Sequence, residues 1–124
     1  MNIKEAAERS NLSIDTIRFY EKSGMLPQLS RDRRGWRTFD PQAIEWLVIL
    51  ERLRATGMPL PQMKRFAELV FAPNTASRAA KQERLAILDQ HKVKLRERKK
   101  QLSDCEAYLD HKIAIYAKEL RRPK

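Results

Sequence analysis

The 124 residues leave room for one small domain and an extended element, and not for two full domains. Lysine and arginine outnumber aspartate and glutamate 26 to 16, for a formal net charge of +10; this fits a polyanion binder, although membrane-surface and ribosomal proteins share it. No apolar run approaches the roughly 20 residues that cross a bilayer. Met1 to Glu5 lacks a signal pattern, and the single cysteine, Cys105, excludes an internal disulfide framework. These features predict a cytoplasmic protein with an anionic partner.

Ile3 to Arg9 reads as a short helix with Ala6 and Ala7 as its packing face. Ser10-Asn11-Leu12 forms a tight turn, since Asn11 tolerates left-handed backbone and Leu12 can plug the corner. Ser13 then caps a second helix running to Lys22. It turns Ile14, Ile17 and one of its two aromatics inward, and leaves Asp15, Thr16, Arg18 and Lys22 outside. Isolated helices below roughly 12–15 residues are marginal in water, so the rest of the chain must hold this one in place. Helix, short turn and arginine-bearing helix make a helix-turn-helix arrangement.

Gly24 stops the second helix, and an extended segment starts at Leu26-Pro27. Arg31, Arg33, Arg34 and Arg37 then cluster around Gly35, with Trp36 and Phe39 as expected anchors of a hairpin, or wing. Such a wing brings positive charge to phosphate distance. Asp40-Pro41 starts a helix that reaches about Ala55, with Ile44, Leu47, Leu50 and Leu53 as its apolar stripe, widened by Trp46 and Ile49. Gly57 ends it. A fourth helix follows from about Pro61, with Met63, Phe66, Ala67 and Val70 at helical spacing, and Pro73-Asn74-Thr75 breaks the chain.

From Thr75 or Ala76 to about Leu120 neither proline nor glycine interrupts the pattern. Leu88, Leu95, Leu102, Leu109 and Tyr116 recur every seven residues. Leu85, Ile113 and Leu120 fill the companion position near the ends, while Lys92, Lys99 and Glu106 occupy it in the middle. A helix of this length, about 68 Å at 1.5 Å per residue, has little in its own chain to bury that stripe against. A second copy is the economical partner, giving a homodimer through a coiled coil. The polar middle suits an antiparallel pairing. The basic run Lys92 to Lys100 reads as a solvated helix face.

These pieces together resemble the MerR family of bacterial transcription regulators. The likeness rests on Ile3-Lys4-Glu5-Ala6-Ala7, Ser13 with Thr16-Ile17-Arg18-Phe19-Tyr20-Glu21, and Gly24-Met25-Leu26-Pro27. It continues through Gly35-Trp36-Arg37 with Phe39, Ile44, and Leu53-Arg54 with Gly57-Met58. The resemblance implies a mainly α fold: a winged helix-turn-helix over residues 1–72, then a long antiparallel dimerisation helix and basic tail over 73–124. It also implies a dimer on a pseudo-palindromic promoter, where bending and undertwisting of the duplex let RNA polymerase engage. Polymerase is thus an indirect partner.

Carried over residue by residue, Arg18 becomes the base-reading arginine, with Ser13, Asp15, Thr16, Phe19, Tyr20 and Lys22 on the same helix. Arg31, Arg33, Arg34, Trp36 and Arg37 supply the wing, and Leu85, Leu88, Leu95, Leu102, Leu109, Ile113 and Tyr116 the dimer contact. Phe19 and Trp36 each stand where the family commonly has tyrosine.

No metal or cofactor is expected, because one thiol cannot close a metal site and His91 and His111 lie twenty residues apart. The length leaves no separate ligand domain. Electrophile-responsive members often carry their reactive cysteine where this chain has Arg52. Cys105 is then either a thiol switch or a half-buried helix residue with no sensing role, and the second is the favoured reading. The inducer, a small molecule or otherwise, has no chemical signature here. An enzyme is disfavoured, since no paired carboxylates, nucleophile set or phosphate-cradling loop occurs. A non-specific architectural nucleic-acid binder is the alternative that composition leaves open.

Overall fold

A computed structural model describes residues 1–27 and 29–123. Gln28, inside the extended segment expected after Leu26, and Lys124, the end of the expected basic tail, lie outside the described residues. Helix α1, Ile3–Ser10, starts where the Asn2 side chain accepts the Glu5 amide at 2.8 Å. It ends at Asn11, whose φ of 60° is the left-handed backbone anticipated for this turn. Leu12 fills the corner, and α2, Ile14–Lys22, follows. Strands β1, Ser30–Arg31, and β2, Arg37–Thr38, pair antiparallel with Ser30 opposite Thr38 and Arg31 opposite Arg37.

Helix α3, Pro41–Ala55, has the predicted bounds because its start is local chemistry: the Asp40 carboxylate accepts the Ala43 amide at 2.8 Å and Pro41 takes the first turn. Helix α4 spans Leu60–Phe71 and α5 spans Arg78–Arg121. The mainly helical winged helix-turn-helix with a two-stranded hairpin is the fold read from the sequence.

The chain divides into two compact units, Met1–Leu88 and Asp89–Lys124. In the first, α1 packs on α2 and α3, and α3 on α4. Ile17, Tyr20, Met25, Phe39, Leu47 and Leu50 are its largest fully buried side chains. Phe39 also ties down the chain start: its amide donates to the Met1 carbonyl at 2.6 Å, and the Met1 amino group donates to the Phe39 carbonyl at 3.0 Å. The unit takes in the first turns of α5. Ala80 is buried, Arg84 donates to the Leu69 carbonyl and to both oxygens of Thr75, and Arg65 bridges to Glu83 at 2.6 Å.

Trp46 is the keystone of α3. Its ring stacks on Phe66 and meets Phe71 edge-on, and its Nε1–H donates to the Met25 carbonyl at 2.6 Å. Trp46→Phe keeps an aromatic ring but strands that buried carbonyl, so unfolding in urea should show a loss of about 1–3 kcal/mol. An unchanged midpoint would mean the bond carries no net stability.

In the second unit α5 continues with its apolar side chains outside. Leu95, Leu102, Leu109, Ile113 and Tyr116 are all exposed in the single chain.

Candidate nucleic-acid interface

Helix α2 is held from below and displayed from above. The Ser13 hydroxyl accepts the Thr16 amide at 3.0 Å and meets the Thr16 hydroxyl at 2.8 Å, which fixes the first turn. Ile17 and Tyr20, three residues apart, drop into the core. At about 100° per residue, Arg18, Lys22, Asp15 and Phe19 then occupy, in that angular order, one arc about 100° wide. All four are exposed. Tyr20 departs from the expected DNA-facing set: at 1 % exposure its ring supports the helix from inside. Its hydroxyl is buried without a well-aligned hydrogen bond, and the Arg54 guanidinium stands beside it. That hydroxyl, together with Glu51, raises the Arg54 pKa above its ordinary value.

The wing is ordered by one carboxylate. Asp32 Oδ1 accepts the amides of Arg34 at 2.9 Å and Trp36 at 3.0 Å, while Gly35 turns the chain at φ +80°. Arg31 donates to the Gly35 carbonyl at 2.8 Å, and Arg34 pairs with Asp32 at 3.3 Å. The Trp36 amide, ahead of the smaller contributions from Arg34, holds the Asp32 carboxyl below its ordinary value. A lowered pKa means that the ionised form is favoured by folding. The contribution of Asp32 is therefore complete above the ordinary carboxylate range and is lost as pH falls through the lowered value. The amide resonances of Arg34 and Trp36, followed through an acid titration, should move with a midpoint below that of a free aspartate. A midpoint at or above it would contradict the bonding pattern.

One wing residue sits differently from expectation. Trp36 is not an anchor: it is 60 % exposed, with the Arg34 guanidinium 4.6 Å from its ring centroid. Phe39 alone of the pair anchors the hairpin from within the core. Arg37 pairs through Nε with Glu21, so it links the wing to the last turn of α2. Arg33 and Arg18 are exposed and make no ion pair or hydrogen bond among the described residues.

The fold brings these charges to one place. Asn2, Lys4, Arg18, Arg31, Trp36 and Arg37 line an open groove of about 440 Å³ between the start of α1, the exposed arc of α2 and the wing. A second groove, of about 540 Å³, flanks α2 on its other side, between Phe19 and Arg54. Asn2, Lys4, Glu21 and Arg54 had no assigned role from sequence. Each is joined to the site through space, with no local spacing to announce it.

The expected dimer-contact residues Leu85 and Leu88 are exposed on the first turns of α5. Cys105 is a free thiol and is exposed in the single chain. Among the described residues no three His, Cys, Asp or Glu side chains come together as a metal site, and no helix is long and apolar enough to cross a membrane.

The fold, with this basic face, is that of a helix-turn-helix regulator. Residues 1–69 match the model of the MerR HTH family of regulatory proteins, and the chain belongs to that family. An uncharacterized HTH-type transcriptional regulator of Haemophilus influenzae is 36% identical over 117 residues, covering 92% of this chain and 82% of that protein. Among solved structures, HiNmlR, a MerR family regulator lacking the sensor domain and bound to promoter DNA, superposes with a TM-score of 0.76 at 33% identity. That match covers 94% of this chain and 90% of HiNmlR. A MerR family transcriptional regulator from Bacillus thuringiensis gives a TM-score of 0.73 at 27% identity, covering 94% and 98%. The chain is thus a DNA-binding transcription regulator by class.

Proposed function

We propose that the protein binds a pseudo-palindromic promoter operator as a homodimer and controls transcription by bending and undertwisting it. Residues 1–72 form the reading head and 73–124 the dimerisation helix and tail. The observation that carries this reading is the shared groove of Arg18 with Arg31 and Arg37. With α2 in the major groove, Arg18 meets base edges and the wing arginines meet flanking phosphates, the division of labour between specifying and positioning contacts. The exposed stripe of α5 supports pairing with a second copy, which sets two such heads at a fixed spacing. A duplex held at that spacing is deformed at base pairs the protein does not touch, and RNA polymerase responds to the deformation. The promoter-bound state of HiNmlR, a regulator of similar length without a sensor domain, supports the same partner for this chain.

An inducer would act on this dimer. Its chemistry is unassigned, and the exposed Cys105 keeps a thiol switch as the alternative within the family, with response of a Cys105→Ser variant to electrophiles deciding it.

Competition binding separates a specific regulator from an architectural binder. At raised salt the selected operator should keep an advantage over random duplex of at least about 10³. If affinity for both falls together, the interaction is purely electrostatic and the reading fails.

A further inference from the structure

The DNA-facing arc of α2 contains one group that neither water nor phosphate can satisfy. Phe19 is 48 % exposed and shares the arc with Asp15, Arg18 and Lys22. Its ring carries no donor or acceptor. Neighbouring Tyr20, a tilted 6.0 Å from it centroid to centroid, goes to the core and leaves Phe19 outside. Beside it lies the open groove of about 540 Å³ that Thr16, Arg54 and Met58 also line. The ring is therefore presented on the reading face with room next to it.

In the major groove the base edges present donors, acceptors and one apolar group, the C5-methyl of thymine. We infer that Phe19 is a specificity-determining residue that reads thymine through this methyl group, at a fixed position in each half-site. Arg18, about 100° around the helix, reads polar edges in the same segment. The inference rests on the DNA-reading role of α2 and adds the base that its apolar member selects.

The test uses the full chain and the duplex it selects from a random library. Each thymine of the consensus half-site is replaced in turn by deoxyuridine, which removes only the methyl group. Wild-type protein should bind about fourfold more weakly at one or two positions, the factor for one buried CH₂. Phe19→Ala should bind the thymine and uracil duplexes equally there, and Phe19→Leu should keep part of the difference. Each ratio is taken within one variant, so partial unfolding lowers both affinities and leaves the ratio intact. A consensus indifferent to every exchange, or a difference that persists in Phe19→Ala, overturns the thymine contact while the DNA-reading role stands. Selection that yields no consensus overturns that role, and the inference with it.

Discussion

Leu102→Glu should convert the protein from dimer to monomer in sedimentation and lower operator affinity by about 10²–10⁴, the gain that linking two binding heads supplies. Leu102 is 62 % exposed in the single chain and sits mid-way along the seven-residue repeat from Leu88 to Tyr116. A leucine there gains only if a partner helix covers it, whereas a glutamate would bring an unpaired charge into that contact. The core of the Met1–Leu88 unit does not include Leu102, so the substitution leaves the reading head's own packing alone. Binding to a single half-site should survive as a weak, salt-sensitive residue of the original affinity. Leu102→Ala provides the milder test, with a dimer weakened but not abolished. An intact Leu102→Glu dimer would refute the repeat as the pairing surface.

Arg18→Ala should lose operator preference by about 1–3 kcal/mol, the discrimination a bidentate arginine supplies, with a much smaller change on random duplex. The guanidinium is free to do this. Arg37 is engaged by Glu21, Arg34 by Asp32 and Arg31 by the Gly35 carbonyl, whereas Arg18 has no partner among the described residues. Its helix is held by the Ser13 cap at the start and by the Arg37–Glu21 pair at its far end, so the backbone that carries Arg18 is fixed while the side chain stays unengaged. Arg18→Lys keeps the charge and loses the planar fork; it should retain bulk affinity and still lose preference. Equal loss on operator and random duplex would make Arg18 a phosphate contact and remove it from base readout.

The elements that proved legible in the sequence are those set by neighbouring residues. Ser13, Asp40-Pro41 and Asn11 fix caps and turns within a few bonds of themselves, and each sits as anticipated. The sequence leaves open which of the two α2 aromatics turns inward; the fold buries Tyr20, three residues from Ile17 on the same side of the helix, and leaves Phe19 outside. Trp36 and Phe39 were harder. A two-residue strand has too little alternation to say which aromatic faces inward, and the hairpin's register, Arg31 opposite Arg37, sends Trp36 outward to Arg34. The Arg37–Glu21 pair and the Met1–Phe39 bonds join residues distant in the chain. No periodicity encodes them. The interface is accordingly half local and half tertiary: the arc on α2 follows from sequence, and the groove it shares with the wing follows from the fold.

The central claim is that two copies of the α2–wing head grip one operator at a fixed spacing. A hydroxyl-radical footprint of the wild-type protein on its selected duplex tests this most directly. Two protected patches related by a pseudo-dyad, separated by a whole number of helical turns of about 34–36 Å and flanked by wing protection, are the predicted result. A single patch without a dyad, or uniform protection along the duplex, would contradict it.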